Sequence, residues 1–150
     1  MYIQIDKSYL QMSRGDTFIL PLVINCGTEL NFKQYSLQDN EYLYVGIMEP
    51  EQSFEDALIR KRLNKNSPKD NDGNLLFILN PSDTEYMLTG KYYITIKLRK
   101  ITDTQDVVTT LLPMKEFWVT GTDIKIDTKP GRLDSDDGNE SIVIYDGGEF

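Results

Sequence analysis

Histidine is absent from this 150-residue chain. Its absence removes the commonest general base, the usual zinc ligand and every Ser-His or Cys-His nucleophile pair. Most hydrolases and zinc enzymes are thereby disfavoured. Cysteine occurs once, at Cys26, so no internal disulfide forms. A reducing cytosol or an intracellular assembly site fits that better than secretion. Long apolar runs are missing too. None approaches the roughly 18 residues of a membrane span, and Met1-Tyr-Ile-Gln-Ile-Asp6 lacks the basic start of a signal peptide. Positive charge is in deficit, with 16 basic against 24 acidic residues and a formal charge of -8. That disfavours a protein that tracks nucleic-acid phosphates. The expectation is a soluble protein that begins close to its first strand, with neither nucleic acid nor membrane as partner.

What is present suits one globular domain: 39% of residues are hydrophobic and 27% charged. A domain of this length buries roughly 70% of the surface its unfolded chain exposes, so it needs no disulfide or metal to fold. Short runs of Ile, Val, Leu, Tyr and Phe recur between clusters of Gly, Pro, Asn and Asp, which is the pattern of an antiparallel β protein. Strands are expected at about Tyr2–Ile5, Thr17–Ile24, Tyr42–Met48, Ala57–Asn64, Asn74–Asn80, Lys91–Lys100, Val107–Leu112 and Glu116–Thr120. The segment Ser53–Asn64 also carries a helical alternative, which its strand propensities outweigh.

Alternation assigns the faces. Phe18, Leu20, Leu22 and Ile24 point inward, as do Leu43, Val45 and Ile47. So do Leu75, Phe77 and Leu79, and then Tyr92, Ile94, Ile96 and Leu98. The outward positions are unusually apolar: Ile19, Val23, Tyr42, Tyr44, Leu76, Ile78 and Trp118. So many exposed apolar residues predict a covered face, through a partner or a second layer. Tyr42, Tyr44, Leu76, Ile78 and Trp118 are the candidate contacts. Pro21 cannot donate a ladder hydrogen bond, which predicts an edge strand or a bulge.

Several short motifs invite chemistry and have plainer readings. Arg14-Gly-Asp16 matches an integrin tripeptide but stands directly before a strand, as a turn does. Asp70-Asn-Asp72-Gly-Asn74 begins like a calcium loop, yet its twelfth position is Pro81 instead of a bidentate Glu, so a turn is expected. The pairs Glu55/Asp56 and Asp136/Asp137 read as solvated surface. Arg60, Lys61, Arg62 and Lys65 form the one basic cluster, with Lys61 and Leu63 on one face and Arg60 and Arg62 on the other. This cluster could receive the acidic arm of a neighbouring copy. Cys26 is expected to be a partly buried structural thiol. Pro81-Ser-Asp-Thr-Glu-Tyr86 reads as one helical turn capped by Ser82 or Asp83. No phosphate-cradling loop, dinucleotide fingerprint or metal-spaced cluster occurs, so no catalytic residue, metal or cofactor is expected.

Two domain-level segments follow. Residues 1–126 form the body, an immunoglobulin-like antiparallel β-sandwich of about seven to nine strands. Leu88-Thr-Gly-Lys-Tyr92-Tyr-Ile94 has the spacing of a tyrosine corner, with Ile94 where antibody domains place a cysteine. Residues 127–150 form an extended acidic C-terminal arm, with seven carboxylates against Lys129 and Arg132, a net of -5 out of the total -8. It is polar and rich in Gly and should not fold alone. Within it, Ile142, Val143, Ile144 and Tyr145 make a β-prone run suited to adding a strand to another subunit.

The ordered pattern runs from Arg14-Gly-Asp-Thr-Phe18 into an alternating strand, then Asp39-Asn-Glu-Tyr-Leu-Tyr-Val-Gly-Ile47. It continues through Gly73-Asn-Leu-Leu-Phe-Ile-Leu-Asn-Pro-Ser-Asp-Thr84 and Leu88-Thr-Gly-Lys-Tyr-Tyr-Ile-Thr-Ile-Lys-Leu98 to Leu112-Pro-Met-Lys-Glu-Phe-Trp-Val119. Over about residues 10–122 this resembles the small immunoglobulin-like virion proteins of tailed bacteriophages, including the N-terminal module of phage baseplate upper proteins. The resemblance implies a non-enzymatic structural protein of the virion, in tail, baseplate, fibre anchor or head decoration. Its implied partners are other virion structural proteins and copies of itself. Baseplate upper proteins normally continue into a longer stalk or receptor-binding part, where this chain has only its arm. Two other classes stay open. One is a soluble acidic inhibitor that mimics nucleic acid, favoured by charge but weakened by its concentration in the arm. The other is a carbohydrate-binding or adhesin module using Tyr92–Tyr93, Trp118 and Tyr145.

Overall fold

The computed structural model describes residues 1–28, 31 and 33–121. The boundary expected at residue 126 and the whole arm, including Ile142, Val143, Ile144 and Tyr145, lie outside the described residues. Among the described residues nine strands form an all-β sandwich: β1 Tyr2–Ile3, β2 Tyr9–Ser13, β3 Phe18–Leu22, β4 Ile24–Asn25, β5 Glu41–Met48, β6 Ile59–Leu63, β7 Leu75–Leu79, β8 Gly90–Ile101 and β9 Asp106–Thr120. A 3-10 turn covers Phe54–Asp56, and one helical turn, α1, covers Pro81–Thr84. No helix among the described residues is long and apolar enough to cross a membrane.

The larger sheet has the order β2-β9-β8-β5-β6. Its last four strands run antiparallel. The first pair departs from the expected all-antiparallel arrangement, because β2 runs parallel to β9 from Tyr9↔Glu116 to Ser13↔Thr120. Opposite lies the ribbon β3-β7, with β1-β4 beside it in sequence and paired separately. Every inward residue named from alternation is buried or packs against the core, with Leu43, Val45, Ile47, Phe77, Leu79, Ile94 and Ile96 fully enclosed. Phe18 sets its ring edge-on against Phe117 at 5.4 Å and Phe77 at 6.5 Å, joining the two sheets by aromatic contact.

Several local expectations change. β2 was not anticipated, because its alternation rests on only Leu10 and Met12. The two runs Val107–Leu112 and Glu116–Thr120 are one strand. Pro113 interrupts the composition but not the strand, since it sits where the β8–β9 register shifts between Ile94↔Lys115 and Ile96↔Leu112. A ladder bond is already lost at such a bulge, so a missing N–H is tolerated. Pro21 lies in β3, which pairs only with β7, as an edge position requires. The Ser53–Asn64 segment divides into the 3-10 turn and β6.

The turn motifs are turns. Gly15 takes φ +83° and Asp16 N–H bonds Ser13 O, while Gly15 N–H donates to the buried Thr84 hydroxyl at 2.9 Å. Asp70 Oδ1 accepts the N–H groups of Asp72 and Asn74, both at 2.9 Å. These bonds hold its carboxyl below the usual range, Asn74 contributing most. The cap of α1 is Asn80 rather than Ser82 or Asp83, and Asp83 reaches back to accept the Asn80 N–H at 2.7 Å. Cys26 is exposed, not partly buried, with Sγ 3.4 Å from Lys33 O.

Candidate functional site

The expected contact residues fall on two opposite surfaces. Strand pairing places directly opposed side chains on the same face, so the register defines the outer side of the larger sheet. Tyr44 opposes Arg62 on β6 and Lys97 on β8, and Tyr42 opposes Arg99. Along β8 the same side continues through Thr95 and Tyr93 to Lys91, which opposes Trp118. Beyond it, Trp118 opposes Gln11 and Glu116 opposes Tyr9. Tyr42, Tyr44 and Trp118 therefore share one face. Trp118 stands about 20 Å along β8 from Tyr44, six residues of strand at about 3.3 Å each. Leu76 and Ile78 belong to the other surface, the outer side of β3-β7, opposite Pro21 and Ile19. Both are half-buried, while Ile19 and Pro21 are exposed. The five residues therefore divide between two opposite surfaces.

The larger outer face mixes rings with charges of both signs. Arg60, Arg62, Lys91, Lys97 and Arg99 project from it, against Glu116 and Asp106, with Glu55 and Asp56 on the bordering 3-10 turn. Arg62 lies 5.2 Å from the centre of the Tyr42 ring, and Lys91 lies 5.7 Å from that of Tyr93. Such contacts hold long basic side chains against rings and keep both at the surface. Gly46 creates a shallow seat in the middle. A Cβ there would come within 2.7 Å of the Phe54 ring, so the absent side chain lets the 3-10 turn fold onto the sheet. Lys97 then stacks 5.9 Å above Phe54.

Arg99 organises the end near Tyr42 and Tyr44. It grips Asp106 with two bonds of 2.9 and 2.7 Å and donates to the Tyr44 hydroxyl at 3.4 Å. The Asp106 carboxyl is held below its usual range chiefly by the Arg99 bond, and the Tyr44 phenol is lowered by the same guanidinium. At the other end the Trp118 indole N–H donates to Glu116 at 3.1 Å. This surface offers rings with fixed orientation and cations in reach of an acceptor, the composition of protein-docking patches.

The basic cluster read from the sequence divides in the same way. Arg60 and Arg62 join the outer face, Lys61 is bound to Asp83 at 3.0 Å, and Lys65 pairs with Asp39. The rest of the face was missed, namely Tyr9, Phe54, Lys91, Lys97 and Arg99. Their alternation was visible in β8, but only the register shows that they adjoin Tyr42, Tyr44 and Trp118. Of the aromatic pair Tyr92–Tyr93, only Tyr93 faces outward. Tyr92 is buried and its hydroxyl donates to Leu88 O at 2.5 Å, the bond that a tyrosine corner requires. Tyr92 therefore presents no ring to the outer face.

A second feature lies at the end of the sandwich near α1. A cleft of about 330 Å³ is lined by Leu58, Tyr86, Leu88, Tyr92, Glu49 and Asp83, among others. Among the described residues no group of three metal-ligating side chains comes together. No family model, curated protein or solved structure matches the chain.

Proposed function

We propose that this chain is a non-enzymatic structural protein of a tailed-bacteriophage virion, acting by docking the larger outer face onto another virion protein. The supporting observation is that face itself. It carries Tyr42, Tyr44, Tyr93 and Trp118 among five basic side chains, on a rigid sheet, in a protein of net charge -8. Rigid aromatics and Arg are the residue types that anchor protein interfaces, and an acidic or polar partner surface complements the cations. The ordered sequence pattern supplies the virion context, and the all-β sandwich agrees with it. A rigid face on which cations balance the carboxylates also weighs against an acidic mimic of nucleic acid, whose charge must be presented on a fixed surface.

The test is quantitative mass spectrometry of purified particles from the source that encodes the chain. Copies in small multiples of three or six would assign it to tail or baseplate, and tens to hundreds would assign it to the head. Absence from particles, with abundant protein in infected cells, would overturn the reading.

A further inference from the structure

The larger sheet has two ends, and they are built differently. At one, β6 carries Arg60, Lys61 and Arg62 in succession, the charged kind of edge that keeps sheets from adding to one another. At the other, β8 pairs with β9 from Asp106 to Val119, whereas β2 covers the far side of β9 only at Glu116–Thr120. Among the described residues no strand pairs with that side from Asp106 to Lys115. Val107, Val108, Thr109 and Thr110 are all exposed and uncharged, Val108 at 56% and Val107 at 44%. The bulge and Pro113 lie past this stretch, towards the body, and do not blunt it.

The backbone bonds fix which groups point out. Thr102 N–H bonds Gln105 O to close the turn between β8 and β9, and Ile101 N–H turns away to Asn40 O. Opposed residues of an antiparallel pair alternately bond each other and turn their groups outward. Ile101↔Asp106, Arg99↔Val108 and Lys97↔Thr110 are thus the pairs that do not bond each other. Asp106, Val108 and Thr110 present N–H and C=O to the open side, while Val107 and Thr109 bond β8.

We infer that this edge pairs with the same edge of a second copy, antiparallel about a two-fold axis at Val108, so that the sheet runs on through both chains. A two-fold contact requires a surface that complements itself. With Val108 opposite its own counterpart, Asp106 faces the second copy's Thr110 at each end of the pairing. Every outward N–H and C=O of the three residues then meets a partner. The charges agree as well. Asp106 meets a neutral threonine, and beyond that threonine stands Lys97, whose Nζ donates to the Thr110 hydroxyl at 3.2 Å. Val107 meets Thr109 and Val108 meets Val108, β-branched pairs that suit a strand contact. The other edge offers no such match. Two copies of β6 would bring their basic runs together, and β6 against β9 would build an open-ended row instead of a closed pair. A contact this short belongs to the weak class of interfaces. The pairing does not depend on any role in a particle.

The test is sedimentation equilibrium of the full-length chain and of the full-length variant Val108→Lys, which sets two like charges at the axis. The wild type is expected to pass from one copy to two between about 10 μM and about 1 mM, and the variant to associate at least about tenfold more weakly. Amide hydrogen exchange on the wild type supplies a reading that needs no substitution. The amides of Asp106, Val108 and Thr110 should gain protection as concentration rises, while those of Val107 and Thr109, bonded to β8, should change far less. A wild type that stays single up to about 1 mM would overturn the pairing. So would equal association of the variant or growth past two copies. Protection of the three amides at every concentration would also overturn it, since a segment of the same chain would then cover the edge.

Discussion

Phe117 and Trp118 are neighbours on β9, and the sheet turns them to opposite environments. Phe117 is fully buried against Phe18, whereas Trp118 is 36% accessible and its indole N–H donates to Glu116. The contrast holds for the whole sheet. Its inner side is a continuous apolar layer running through Leu43, Val45, Ile47, Ile94 and Ile96. Its outer side alternates rings with cations that bond one another. Alternation makes the two sides equally regular, but burial gives one of them the stability and leaves the other available for contact. The two sides should therefore respond to substitution on different scales.

The largest effect belongs to the inner side. Phe117→Ala removes a ring enclosed between the sheets and should destabilise the fold by about 3–5 kcal/mol, measured by urea unfolding. A loss under about 1 kcal/mol would erase the distinction between the sides.

A smaller effect tests the polar exception within the inner side. Glu41 is the buried carboxylate among the described residues, and it accepts bonds from the Tyr35 hydroxyl at 2.5 Å and Gln38 N–H at 2.8 Å. Burial first, then the bond to Glu41, pushes the Tyr35 phenol up to about 12. Tyr35→Phe leaves Glu41 with one partner fewer and should cost about 1–3 kcal/mol at neutral pH. The folded state holds the phenolic proton more tightly than the unfolded chain, whose tyrosine titrates near 10. The wild-type advantage is therefore complete below pH about 10 and declines as pH rises through about 12. Unfolding both proteins across that window checks the sign. An advantage that grows with pH would contradict it.

Smaller still is the loss in Tyr92→Phe, which keeps the buried ring but deletes the bond to Leu88 O. About 1 kcal/mol is expected, visible as a lower urea midpoint with an unchanged slope.

Much of this was legible in the sequence, and the reasons are specific. Inward positions of β3, β5, β7 and β8 follow from alternation, because a one-residue slip would expose the whole apolar set. The tyrosine corner followed from the spacing of Leu88 and Tyr92. β2 was hidden because only two apolar residues mark it and its partner lies far along the chain in a parallel pairing. Pro113 concealed the continuity of β9, since a bulge that tolerates proline leaves no local signature. The candidate site was half legible. Tyr42, Tyr44 and Trp118 stood out as apolar residues facing out, while Lys91, Lys97 and Arg99 looked like ordinary solvated charges. Only strand register brings those cations among the rings, and only register separates Leu76 and Ile78 onto the opposite surface.

A small effect on stability should accompany the largest on assembly. The variant Tyr44→Ala/Trp118→Ala alters only outer-face residues, and losing their cross-strand contacts should cost no more than about 1 kcal/mol per site. Its incorporation into particles, counted by mass spectrometry against the wild type in the same infection, tests the proposed docking role of this face most directly. At least about a tenfold loss of copies per particle is expected, as removal of interface anchors produces, while the protein still unfolds cooperatively from a folded state. Incorporation equal to wild type would contradict that role.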